Sequence, residues 1–170
     1  MGNRGFEIAK GWEGHELILP ERSTKSSAGY DFRSAVDIEI PSFMSWYHLF
    51  LTQKVYGGEV ADKYKLKPIL VPTGIKAYMP ETDMLLLFNR SSNPMKHMLI
   101  LTNGVGVVDA DYYGNPDNDG HIMFQFINMA PVPIIIKKGG KIGQGVFVTY
   151  HKVDNDYSID ERLGGMGSTD

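Results

Sequence analysis

The sequence contains no cysteine. That absence excludes disulfide cross-links, thiolate metal sites and a cysteine nucleophile together. Long apolar runs are missing as well. No stretch reaches the roughly 20 residues that a membrane-spanning helix needs, and residues 1–14 alternate polar and apolar side chains without the continuous apolar centre of a secretory leader. The cytoplasm is therefore the expected compartment, with no membrane partner. Nor is there a strong excess of one charge: 17 basic against 20 acidic residues leave a formal charge of -3. A protein that neutralises duplex phosphates needs a basic surface, so nucleic acid is not an expected partner. Histidine patterning is also sparse. His15, His48, His97, His121 and His151 are scattered, without metal-ligand spacing such as HExxH, and read as surface or satisfied core residues.

What is present is a chain of 170 residues, 42% apolar and 22% charged, long enough for one core and short for two. Its dominant period is two. Residues 6–10, 16–19, 36–40, 69–71, 75–79, 84–88, 98–101, 122–128, 133–136 and 146–150 read as short strands. Turn signals stand between them at Pro72-Thr73-Gly74, Asn93-Pro94, Asn103-Gly104, Asn115-Pro116, Asp119-Gly120 and Gly139-Gly140. Many short strands with such punctuation predict an all-β sandwich or barrel. Residues 44–66, which hold Trp46, Tyr47, Phe50 and Glu59 to Tyr64, read as an insertion forming a short helix or two turns. The last segment has little to bury beyond Ile159, Leu163 and Met166. A division into a β domain (1–153) and a mobile C-terminal arm (154–170) follows.

Five blocks carry chemistry. In Ser26 to Ala35 a glycine, Gly29, precedes Asp31 as a strand begins. Asn89-Arg90-Ser91-Ser92-Asn93 follows an apolar strand and offers guanidinium and hydroxyl donors suited to an anion. Asn103 to Gly114 is the densest. Gly104 and Gly106 let the backbone approach a planar ligand, Asp109 follows Val107-Val108 at a strand end where partial desolvation suits a base, and Tyr112 offers a flat face. Gln144 points out of a late strand. In the tail, Arg162, Gly164, Gly165, Gly167, Ser168 and Thr169 have the composition of a polyphosphate nest. Two lookalikes fail. Residues 115–120 start like an EF-hand loop, but Phe126 stands where the bidentate glutamate belongs, and the stretch at 139–145 lacks P-loop spacing.

In this order the blocks resemble the five signature motifs of trimeric dUTPases, of the kind found in Bacillus and in phages of Gram-positive bacteria. The first is similar to AGYDxxxA, the second to the family's Arg-Ser phosphate loop, and the third to NxxGxIDxxYxG, with Val108 in the isoleucine position. Lys141 to Gln144 resembles basic-Ile-small-Gln, and the tail resembles RxxGGFGSTG with Met166 in place of the aromatic. The resemblance implies a jelly-roll-like subunit in a homotrimer with shared sites, each closed by a neighbour's arm. It implies Mg2+-dependent hydrolysis of dUTP to dUMP and pyrophosphate, which limits uracil in DNA and supplies dUMP for thymidylate synthesis. Asp109 would activate water. Asn103, with the backbone at Gly106 and Val108, would read uracil under Met166, and Tyr112 would lie against deoxyribose. Arg90, Ser91, Ser92, Gln144, Arg162, Gly164, Gly165, Gly167, Ser168 and Thr169 would hold the triphosphate, and Asp31 the Mg2+ through water. Two competing readings share the scaffold: a dCTP deaminase, with or without dUTPase activity, which would want a catalytic glutamate, and a non-enzymatic protein that docks a partner through 44–66.

Overall fold

The computed structural model describes residues 4–56, 67–158, 162, 164 and 165. Its strands are β1 (Gly5–Ile8), β2 (Glu21–Arg22), β3 (Tyr30–Arg33), β4 (Ile38–Ile40), β5 (Ile69–Tyr78), β6 (Asp83–Asn89), β7 (Leu99–Leu101), β8 (Val105–Asp109), β9 (Ile122–Asn128), β10 (Ile134–Ile136) and β11 (Lys141–Thr149). Two helices interrupt them, α1 (Phe43–Tyr56) and α2 (Ser92–His97), with a 3-10 turn at Ala110–Tyr112. One sheet runs β1-β5-β9-β7, another β2-β3-β11-β6-β8, and β10 pairs with β4. Their strands pair antiparallel throughout. The sheets end in open edges, so the architecture is an open jelly-roll-like sandwich rather than a closed barrel.

The period of two becomes two faces. β9 alternates buried and half-buried residues along its length, the pattern of a strand with one face in the core. Phe32 of β3 meets Phe124 of β9 with ring centroids 5.5 Å apart, joining the two large sheets, and Phe6 of β1 closes on Phe32 at 5.4 Å. Gly143 and Gly145 of β11 leave the room for this. A Cβ on Gly143 would collide with the Phe124 ring, and one on Gly145 would lie 2.8 Å from Phe32.

Several sequence expectations change. Residues 16–19 form no strand, because Gly14 and Glu16 take positive φ (82° and 51°) and break the extended path. Pro72-Thr73-Gly74 is not a turn between strands but an irregularity within β5, where the register with β9 shifts between Pro72 and Ile75. Thr73 Oγ1 donates to the Ile122 carbonyl at 2.6 Å and accepts from the Ile75 N–H at 3.1 Å, so the bulge is satisfied internally. Asn93-Pro94 lies inside α2, where proline is tolerated in the first turn. The first half of the insertion is the 14-residue helix α1. Ser42 starts it, its Oγ accepting from the Met44 N–H at 3.1 Å and donating to the Ala130 carbonyl at 2.7 Å. Glu59 to Tyr64 lie outside the described residues, and no described helix is long and apolar enough to cross a membrane.

His121 is a satisfied core histidine, as expected. Its Nε2 accepts the Gly74 N–H at 2.9 Å, its ring lies 5.1 Å from that of Trp12, and burial pushes its pKa down to about 4. The unfolded chain takes up this proton near the ordinary value of 6.5, whereas the folded protein resists it until about 4. This contribution to stability is therefore complete above pH 6.5 and declines as the pH falls towards 4, by at most about 3 kcal/mol. Urea midpoints measured from about pH 7 down to about pH 4.5 are expected to drop more steeply for the wild type than for His121→Gln. Parallel curves would exclude the buried neutral imidazole.

Candidate active site

Among the described residues β8 is an edge strand that pairs with β6, with Gly106 opposite Leu87 and Asp109 opposite Met84. The chain reaches it through the Asn103-Gly104 turn, in which Gly104 adopts φ 68° and the Val105 N–H donates to the Asn103 carbonyl at 2.7 Å. Gly106 is required by space. An added Cβ would lie 3.1 Å from Leu87 Cβ and 3.3 Å from Asn103 Nδ2. The result is a cavity of about 260 Å³ lined by Asn103, Gly106, Val108, Asp109, Tyr112 and Arg162 over a floor of apolar side chains. Val108 and Tyr112 are buried. The carboxylate is not: the Asp109 side chain is 52% exposed. It is therefore only partly desolvated, at the end of the strand.

Arg162 covers that carboxylate. Its Nη2 donates to Asp109 Oδ2 at 2.6 Å and its Nε to Asp111 Oδ1 at 2.9 Å, while the guanidinium carbon sits 5.6 Å from the Tyr112 ring centroid. The Gly165 N–H donates to Asp117 Oδ2 at 2.8 Å, and Gly164 and Gly165 are buried. Within one chain Arg162 of the arm thus lines that chain's own cavity. Met166, Gly167, Ser168 and Thr169 lie outside the described residues.

A second cluster gathers the remaining residues. Asp31 on β3 stands opposite Gln144 on β11, and Gly29 makes room, since a Cβ there would strike the Gln144 amide. Lys141 Nζ lies 2.5 Å from Asp31 Oδ2, Ser23 Oγ donates to the same oxygen at 2.6 Å, and Arg90 Nε lies 3.8 Å from Oδ1. Burial works against ionising Asp31, but the Lys141 and Ser23 hydrogen bonds and the Lys141 and Arg90 charges outweigh it, and its pKa is lowered. Asn89 shapes the loop: its Oδ1 accepts from the Arg90 N–H at 2.9 Å and from Asn93 Nδ2 at 2.7 Å, and its Nδ2 donates to the Leu99 carbonyl. Ser91 is exposed and precedes α2 without a side-chain capping bond, while Ser92 opens the helix. Sequence reasoning missed Lys141 as Asp31's partner and Asn89 and Asn93 as loop supports. The two asparagines that bracket Arg90-Ser91-Ser92 were the available signal.

The two clusters are separate. Asp109 sits opposite Met84, near the start of β6, and Arg90 follows its last residue, Asn89. Six residues at about 3.3 Å each put roughly 20 Å between them.

A strand-end carboxylate at the rim of a cavity on an all-β sandwich, with a cationic cluster apart from it, suits an enzyme that hydrolyses nucleotides. The family model described as dUTPase matches residues 59–169. A deoxyuridine 5'-triphosphate nucleotidohydrolase from Lactococcus lactis subsp. lactis is 40% identical over 99% of both chains. The crystal structure of dUTPase from Streptococcus mutans superposes with a TM-score of 0.71 at 39% identity, covering 89% of this chain and 99% of that one. A mutant dUTPase from phage phi11 of S. aureus, in which coordination of a structural Mg(II) ion is described, shares the fold at 17% identity, with TM-score 0.64 and coverage of 93% and 97%. The chain belongs to the dUTPase family. It is an enzyme of that family, a deoxyuridine triphosphate nucleotidohydrolase.

The tight fit at Gly106 makes a direct prediction. Gly106→Ala is expected to raise KM for dUTP by about tenfold while costing about 1 kcal/mol of stability, read from steady-state kinetics and urea unfolding. A normal KM would mean that the cavity beside Gly106 is not where the nucleotide sits.

Proposed function

We propose that this enzyme hydrolyses dUTP to dUMP and pyrophosphate with Asp109 as general base, and the observation that carries the reading is Asp109 at the rim of the cavity shared with Asn103 and Tyr112. The water oxygen bonds to the α-phosphorus, its proton passes to Asp109, and the bond from that phosphorus to the bridging oxygen breaks, pyrophosphate leaving with the electron pair. Asn103 and the backbone around Gly106 and Val108 read the uracil edge. Tyr112 lies against the deoxyribose, where a 2′-hydroxyl would crowd it. Arg90, Ser91, Ser92 and Gln144 hold the triphosphate, joined by Arg162, Gly164, Gly165, Gly167, Ser168 and Thr169 of the arm, with Met166 over the base. In cells this reaction limits uracil in DNA and supplies dUMP for thymidylate synthesis.

The donor set suits a Mg2+ that arrives with the nucleotide. Among the described residues no three carboxylates or histidines cluster as a cage, and Mg2+ characteristically keeps waters and binds through one or two carboxylates plus phosphates. Asp31, ionised and already facing cations, is the carboxylate that would hold it through water. The ion would neutralise charge on the phosphates and the leaving pyrophosphate.

The separation of roughly 20 Å along β6 favours sites shared between subunits, because one chain cannot bring Asp109 and Arg90 to the same phosphate. We infer a homotrimer in which residues 1–153 form the body and 154–170 an arm lent to a neighbour. In the isolated chain Arg162 instead occupies its own Asp109, a contact that the triphosphate would replace. Met44, Tyr47 and Leu51 are exposed on α1, which supports a protein-docking role for 44–66 alongside catalysis. Deleting 44–66 without loss of hydrolysis, assembly or stability would agree with it.

Two experiments test the enzymatic reading. Asp109→Asn is expected to lower pyrophosphate release from dUTP by about 100-fold or more with the fold retained by circular dichroism; full activity would remove Asp109 from the mechanism. Arg90→Ala and Asp109→Asn proteins, each nearly inactive, are expected to regain activity when refolded together, because some mixed sites draw both wild-type residues from different chains. No recovery would place the whole site in one chain.

A further inference from the structure

The segment 115–120 interrupts the passage from the 3-10 turn to β9, and its asparagines bond inward, to Tyr112. Asn118 Nδ2 donates to the Tyr112 hydroxyl at 2.8 Å, and that hydroxyl donates to the His121 carbonyl at 3.1 Å. The direction of this chain is forced. Asn118 Oδ1 accepts from Asn115 Nδ2 at 2.8 Å and from the Gly120 N–H at 3.1 Å, so only its amide nitrogen is left for the phenol. Asn115 is itself buried, donating to the Tyr112 carbonyl at 2.8 Å and accepting from the N–H groups of Asp117 and Asn118. Gly120, at φ 81°, lets the loop close: a Cβ there would lie 2.7 Å from the Tyr112 carbonyl oxygen.

We propose that Asn118 is a positioning residue for sugar discrimination: through the Tyr112 hydroxyl it fixes the ring against which the deoxyribose packs. This deepens, and rests on, the reading of Tyr112 as the sugar-facing residue. A ring free to tilt gives way to an extra hydroxyl, whereas a ring bonded at its far end from two sides does not. The buried hydroxyl has no other described hydrogen-bond partner, so losing Asn118 removes one of its two bonds and leaves the far end of the ring held by the His121 carbonyl alone. Catalysis on dUTP asks nothing of that restraint, because the deoxyribose fits either way. The function of Asn118 therefore shows in the ratio between substrates and not in turnover.

The test is pyrophosphate release from dUTP and from UTP by the full-length protein. Asn118→Ala is expected to reduce the ratio of kcat/KM for dUTP over UTP by about tenfold, the scale of one neutral hydrogen bond, with kcat for dUTP within about twofold of wild type. Tyr112→Phe, which keeps the ring but removes the hydroxyl that bears both bonds, is expected to reduce the ratio by at least that factor, and the double variant by no more than Tyr112→Phe alone. A merely structural role would lower the thermal midpoint and both substrates' rates together without changing the ratio, and that result overturns the proposal. Should Asn118→Ala fail to fold, an unchanged ratio in Tyr112→Phe overturns it equally. Tyr112→Ala separates the two levels: if it loses discrimination while Asn118→Ala keeps it, the proposal fails and the reading of Tyr112 stands; if Tyr112→Ala also keeps it, that reading fails as well.

Discussion

The pairing register of β6 is the constraint on which the rest depends. This strand lies between β11 and β8 and fixes both. Leu85 and Leu87 face the core, and each anchors a position used by the site: Leu87 opposes Gly106 on one side and Gly145 on the other. A slip of one residue would turn the buried leucines to solvent and every facing side chain with them, so burial protects the register. The register in turn sets the spacing of chemistry. Asp109 is tied to one end of β6, and Gln144, opposite Phe88, to the other. The distance between the proposed base and the phosphate cluster is thus counted out in strand residues and cannot relax without unzipping the sheet.

Around this frame, asparagine side chains give the loops their shape. Asn89 and Asn93 hold the segment bearing Arg90; Asn115 and Asn118 hold Tyr112; Asn128 Nδ2 donates to the carbonyls of Ile40 and Val132 while its Oδ1 accepts from the Ala130 N–H. An amide offers donors and acceptors at once, so it can stand in for the backbone partners a loop lacks, and a buried one must be satisfied to be tolerated. Arg33 Nε is the one buried side-chain atom without a partner among the described residues. Polar order in the loops is thus nearly complete without disulfides.

What the sequence made legible depended on how close in the chain the cooperating residues lie. Asn103, Gly106, Asp109 and Tyr112 fall within ten positions and could be read together from strand period, glycine and carboxylate. Asp31, Arg90 and Lys141 converge only through the β3-β11-β6 pairing, and no local pattern announces that; Asp31 and Arg90 stand out singly in their own blocks, but Lys141's pairing with Asp31 does not. The insertion's helix escaped a firm reading for a different reason. Its sequence, from Phe43 to Tyr56, is apolar nearly all round, so the 3.6-residue contrast between faces that marks a surface helix is absent. Thr73 and Gly74 read as a turn because turn preference is local, whereas the bulge they form is set by His121 and Ile122 across the sheet.

Arg162 and Asp109 pose the remaining physical question. The Asp109 side chain is half exposed at the end of β8, so solvent still reaches the carboxylate proposed as the base. Its ion pair with Arg162 contributes little, because partly exposed pairs are worth about 0–1 kcal/mol, and a triphosphate carrying several charges competes readily for the guanidinium. On the proposed reading, displacing Arg162 onto phosphate would free the carboxylate just as the nucleotide excluded solvent from its surroundings. For a carboxylate in general, both changes favour taking up a proton, the first by withdrawing a cation that stabilises the ionised form and the second by raising the cost of leaving it charged. On that argument the proposed base would become active only once the substrate is bound and, in the proposed trimer, a neighbouring subunit encloses it.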